Sequence, residues 1–88
     1  MSTLHIFSKP ISYYDNERLV NLIQQNDTVL LVGDACYSQK LYFQLCDKLL
    51  LLSDDAKARN IEIMQQNTAI DYEIFVAKTL SSSQSITW

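Results

Sequence analysis

The chain has 88 residues, of which 48% are hydrophobic and 19% charged, a balance that fits one globular domain and excludes a disordered chain. Ten acidic against seven basic residues leave a net charge of −3, with no basic stripe to displace counterions from phosphate; this excludes direct binding of RNA or DNA and attraction to an anionic membrane surface. One Gly and one Pro supply too few tight turns for an all-β sandwich, and no apolar run has membrane-spanning length or follows a basic leader, so the chain reads as a cytoplasmic protein.

Thr3 to Phe7 reads as a short strand, followed by a loop "SKPISYY" in which Pro10 prevents regular structure. Ser12 with Asp15 fits a Ser-x-x-Asp capping box, and Leu19, Leu22 and Ile23 recur at i, i+3, i+4, which predicts an amphipathic helix over Tyr14 to Gln25, ended by Asn26-Asp27. "TVLLVG" is a continuous β-rich apolar run, as expected for a strand covered on both faces. Tyr37 to Cys46 carries apolar residues four apart and predicts a second helix. "KLLLL" repeats the continuous apolar pattern, Ser53-Asp54 reads as a cap, and "DAKAR" as a short helix that Asn60 can end in a left-handed conformation. Asn67 to Ile70 gives a weak strand signal. Asp71 then reads as an N-cap, and Tyr72, Phe75, Val76, Thr79 and Leu80 predict a helix that lays one stripe on the sheet. Ser81 to Ser83 form a loop, and Ile86 to Trp88 a last short strand, with Trp88 docked on its own or a partner's core. Alternation of this kind predicts one α/β domain over residues 1–88 with a mostly parallel sheet and right-handed crossovers.

Several segments, in this order, resemble the TusB/DsrH family of small sulfur-relay subunits: "TLHIFSKP", "VLLVGDACY", "SDDAKARN", "IDYEIFV" and the final Trp88. The resemblance implies a three-layer α/β/α sandwich with a five-stranded, mostly parallel sheet of the DsrEFH type. It also implies a hetero-oligomer with TusC-like and TusD-like subunits that passes persulfide sulfur to a TusE-like carrier, for 2-thiolation of the tRNA wobble uridine or, in the related Dsr system, for sulfur oxidation. Two departures stand out. The stretch between Tyr37 and Leu49 is shorter than is usual in the family, and no cysteine lies between Asp15 and Gln25, where DsrH-type members carry one. The chain is thus closer to TusB, a non-catalytic neighbour of a cysteine-bearing TusD-type subunit.

Sulfur relay requires a thiolate, which directs attention to Cys36 and Cys46. Cys36 follows a strand and precedes a helix, where α/β proteins bind ligands and where a helix N-terminus lowers a thiol pKa, while Asp34 nearby raises it. It is the one candidate catalytic residue, weighed against a plain buried cysteine, and the matched family position is usually apolar. Cys46 shares an apolar stripe with Tyr42 and reads as packing. A disulfide between them is excluded if both flank one helix, because ten residues rise about 15 Å. One His and two separated Cys give no metal-ligand spacing, and Gly33 alone builds no phosphate loop, so neither a metal nor a cofactor is expected. His5, opposite Leu4 and Ile6, reads as a hydrogen-bonded structural histidine, Asp34, Asp54 and Asp71 as strand-end or capping carboxylates, Lys57 and Arg59 as a solvated face, and Tyr13 and Tyr14 as an interface patch or local packing. Three functions remain open: a scaffold subunit of a sulfurtransferase complex, a stand-alone thiol sulfurtransferase using Cys36, and a homo-oligomer that binds a small molecule.

Overall fold

The computed structural model describes residues 3–46 and 49–88. Five strands form one sheet: β1 (Thr3–Phe7), β2 (Thr28–Leu31), β3 (Leu49–Leu52), β4 (Thr68–Ile70) and β5 (Gln84–Thr87). Their order is β4-β3-β2-β1-β5, and every neighbouring pair is parallel. The helices are α1 (Asn16–Leu22), α2 (Gln39–Phe43), α3 (Ser53–Ala58) and α4 (Tyr72–Ser81), with 3-10 turns at Ile11–Tyr13 and Gly33–Ser38. This is the expected α/β sandwich.

The direction of travel decides which face each helix covers. From β1 to β4 the chain steps steadily toward one edge, and from β4 it returns across the sheet to β5 at the other. A right-handed crossover therefore puts α1, α2 and α3 on one face and α4 on the opposite one. The side chains agree. Leu19, Tyr42 and Ala56 pack with Phe7, Val29, Leu31, Leu49 and Leu51 on the first face; Phe75 packs with Leu4, Ile6, Leu30 and Ile70 on the second.

The helices differ from the expected ones in their ends. Asp15, not Ser12, caps α1: its carboxylate accepts the Glu17 N–H, while Ser12 lies inside the preceding 3-10 turn. The segment after β2 is only partly α-helical, because six residues, Gly33–Ser38, wind as a 3-10 helix before α2 begins. No side chain caps α3, which starts directly on Ser53. Asn60 ends that region with φ +54°, as anticipated for Asn, and Asp71 caps α4 by accepting the Ile74 N–H at 2.9 Å. The helix runs through Ser81, one residue into the expected serine loop. Lys48 of the "KLLLL" run lies outside the described residues.

One correction concerns α4. Its predicted sheet-facing stripe does not all face the sheet. Phe75 does, but Tyr72, Val76 and Leu80 are 61%, 47% and 81% exposed. The apolar stripe of α4 is wider than the line that meets the sheet, and its outer residues face solvent.

Candidate functional site

Cys36 sits in the 3-10 turn that follows β2, at the carboxyl end of the central strands. Its side chain is wholly buried against Phe7, Leu31 and Tyr42, and its Sγ–H points at the Leu31 carbonyl at 3.7 Å. Burial pushes the thiol up to about 11; the Asp55 carboxylate adds to the rise, and Arg59 offsets part of it. The helix field expected to lower it is weak, because the turn is 3-10 and the thiol points inward. Cys36 is therefore held protonated and out of water. Cys46 is half-buried at the edge of the same cluster, and the two cysteines are not joined by a disulfide. Among the described residues no three His, Cys, Asp or Glu side chains are grouped to hold a metal ion, and no helix is long and apolar enough to cross a membrane.

Above Cys36 the ends of β2 and β3 are tied together. Gly33 adopts φ +52° and donates its N–H to Asp55 Oδ2 at 2.7 Å. Arg59 bonds Asp34 Oδ1 through Nε at 2.9 Å and the Asp55 carbonyl through Nη1 at 3.2 Å. The hydrogen bond to Asp34 raises the Arg59 pKa further. Arg59 is thus paired with Asp34 rather than simply solvated.

A second polar group lies beneath the sheet edge. Gln39 is buried, donates through Nε2 to the Glu62 carbonyl at 2.6 Å, and accepts at Oε1 from the Met64 N–H and from Asn67 Nδ2. It fixes the course of the chain from α3 to β4. Asn67 Oδ1 is buried with no hydrogen-bond partner.

The third group centres on His5, which is 2% exposed. Trp88 Nε1 lies 3.2 Å from His5 Nδ1, and His5 Nε2 lies 2.9 Å from Asp27 Oδ2. An indole N–H can only donate, so Nδ1 accepts and Nε2 carries the imidazole proton. Asp27 also accepts the N–H groups of Thr3 and Gln24. Burial pushes its carboxyl up, but the bonds from Gln24, His5 and Thr3 outweigh that and hold it below the ordinary aspartate range. Trp88 itself donates its main-chain N–H to the Ile6 carbonyl and stacks on Phe7. Sequence reasoning placed His5 and Trp88 as structural side chains but had no signal that joined them to Asp27.

The surface around α2 is grooved. A cavity of about 400 Å³ lies between Tyr37, Leu41 and Ile61, and another of about 270 Å³ between Ile11, Tyr14 and Leu41, so Leu41 stands as a ridge between them. Tyr37 and Leu41 are exposed there; Tyr13, in the turn before α1, is exposed as well, whereas Tyr14 turns inward onto Phe7.

A family model described as "DsrH like protein" matches residues 10–85 of the chain. Comparison with curated proteins gave no match.

Proposed function

Because the chain belongs to the DsrH-like family, which ties it to sulfur relay, we propose that it is a non-catalytic subunit of a TusBCD-type complex. In this reading TusC-like and TusD-like chains are its partners, a TusE-like carrier receives the sulfur, and the end product is a 2-thiolated tRNA wobble uridine in the cytoplasm. The observation that carries the non-catalytic role is the state of Cys36. A persulfide carrier needs a thiolate that solvent and a partner's sulfur can reach; Cys36 is enclosed, protonated at neutral pH and bonded to a carbonyl. The transferring thiol then belongs to a partner, and this chain contributes surface.

Exposed apolar side chains support a surface role. The Tyr72-Val76-Leu80 line on α4 and the Leu41 ridge on α2 lie on opposite faces of the sheet, so one chain cannot bury them against each other. Patches of this kind mark protein contacts. Co-expression with TusC-like and TusD-like chains should give one complex on size exclusion. Separate elution at micromolar concentration overturns the reading, because an obligate interface survives that dilution.

A further inference from the structure

His5, Trp88 and Asp27 form a chain of hydrogen bonds whose two ends respond oppositely to a proton. Trp88 Nε1–H requires a lone pair on His5 Nδ1; Asp27 requires a proton on Nε2. The neutral Nε2–H imidazole satisfies both. Adding a proton at Nδ1 sets two N–H groups against each other at a contact of 3.2 Å, inside a buried site. The indole then has no acceptor there and must turn away. The bond to Asp27 persists, because an imidazolium still donates from Nε2 and the carboxylate stays ionised under three donors.

We propose that His5 is a proton-operated latch on β5: the neutral imidazole holds Trp88 against β1, and its protonation frees Trp88 while Asp27 keeps the charged ring in place. The latch is independent of the sulfur-relay reading. What it holds is limited and definite. Trp88 covers Phe7 and, through its N–H, extends the β1–β5 ladder by one bond to Ile6. Residues 84–87 of β5 are all exposed, so apart from its ladder to β1 and the Gln84–Thr3 bond the strand has no buried side chain to keep it docked. Releasing Trp88 therefore uncovers Phe7 and loosens the pairing edge of β1 without dismantling β2 or β3.

The charges around His5 favour this division. Asp27, from the turn before β2, is the ionised group bonded to the ring. Tyr14, from the loop before α1, reaches only the main-chain oxygen of Trp88, with its hydroxyl at 3.4 Å. From β2 the paired residue is Val29, and from β5 it is Ile86; neither titrates. Among the described residues, Asp27 is the one side-chain carboxylate bonded to the ring, and it bonds at Nε2, away from the indole N–H. Docking and protonation at Nδ1 exclude one another, so by linkage the docked fraction falls as pH falls.

Trp88 is the only tryptophan, so its fluorescence in the full chain reads the latch directly. As pH is lowered from about 8 toward the onset of acid unfolding, iodide quenching should rise several-fold with a single-proton midpoint while the far-ultraviolet circular dichroism holds. His5→Gln, whose amide can accept from the indole and donate to Asp27 without titrating, should abolish that transition. Long-range proton–nitrogen NMR on the wild type should show His5 as the Nε2–H tautomer at neutral pH and gaining its proton over the same interval as quenching rises. If His5→Gln does not fold, the NMR comparison decides by itself. Trp88 shielded while His5 titrates, a proton on Nδ1 at neutral pH, a transition retained in His5→Gln, or a His5 that stays neutral until global unfolding each overturns the latch.

Discussion

The indole of Trp88 lies flat on the ring of Phe7, with 5.6 Å between centroids and 3° between planes. Phe7 is wholly buried and meets Tyr14 edge-on and Tyr42 at a tilt. The last residue of the sequence thus closes a cluster whose other rings come from β1, the loop after it, and α2. The Tyr42 hydroxyl, donated to the Lys9 carbonyl at 2.7 Å, pins that loop in place.

Trp88→Ala should remove the stack, the indole bond and the lid over Phe7 together. Truncating a buried aromatic costs about 3–5 kcal/mol; Trp88 is half-buried, so about 3 kcal/mol is expected. For a domain of this size 1 kcal/mol moves Tm by roughly 4–8 °C, and thermal denaturation should therefore fall by well over 10 °C. Trp88→Phe keeps the stack but leaves His5 Nδ1 without a donor, and should lose about 1 kcal/mol.

Cys36→Ser should leave tRNA thiolation in cells near normal, because the proposed transferring thiol lies on a partner. The same thiol should resist labelling by iodoacetamide at pH 8 in the native protein and react fully in urea, since burial and a pKa of about 11 both suppress the thiolate. Loss of thiolation matching a gene deletion, with the variant still folded and assembled, would move the sulfur-carrying role to Cys36.

Gln39→Leu should destabilise the fold although it adds apolar surface. It strands the Glu62 carbonyl, the Met64 N–H and the Asn67 side chain, which already has one unpaired oxygen. A buried orphan costs about 1–3 kcal/mol; Asn67 is buried, whereas the bonds to the Glu62 carbonyl and the Met64 N–H are only partly so, and a loss of about 2 kcal/mol in urea titration is therefore expected, concentrated between α3 and β4.

Asp27→Asn should flatten the acid limb of the stability profile. The folded carboxyl titrates below its ordinary value, so Asp27 contributes stability that is complete above the unfolded aspartate pKa, near pH 4, and is lost as pH falls through the lower folded value. Urea midpoints measured downward from about pH 6 should drop more steeply in the wild type than in the variant across that window.

Gly33→Ala should cost about 1–2 kcal/mol, because φ +52° is unfavourable for alanine, which lacks the short polar side chain with which an asparagine, as at Asn60, tolerates it, and the added atom meets the Ser8 carbonyl oxygen at 3.4 Å. Thermal melting of the purified variant checks it; an unchanged Tm contradicts the strain.

The strands were legible because their signal is local. "TVLLVG" and "LLLL" have no polar face, and only a sheet covered on both sides accepts such runs. The order of elements then decided the layers. Helix α4 was read less well: Tyr72, Val76 and Leu80 share its periodicity with Phe75 and Thr79, and periodicity alone does not say which of two adjoining lines meets the sheet. The polar groups were hidden for another reason. His5 and Asp27 are 22 residues apart, His5 and Trp88 83, and Gln39 and Asn67 28, and no spacing rule links residues at such distances. Cys36 was placed correctly at a strand end, but its inward rotation follows from the 3-10 winding of Gly33–Ser38, which the apolar pattern does not distinguish from an α-helix.

The position of β5 beside β1 sets a condition on how the molecule is made. The pairing joins Thr3 to Gln84, 81 residues apart in the chain. During translation β1 emerges first, pairs with β2 as soon as that strand follows, and then waits with its other edge open while β3, β4 and α4 are synthesised. Elongation at about 5–20 residues per second makes that interval several seconds, far longer than a hairpin or helix needs to form. An unpaired strand edge beside an uncovered Phe7 is a site for wrong pairing with neighbouring nascent chains. A ribosome that stalls before residue 84 would release a product with most of its sheet but with that edge still open, a natural target for chaperones and proteases.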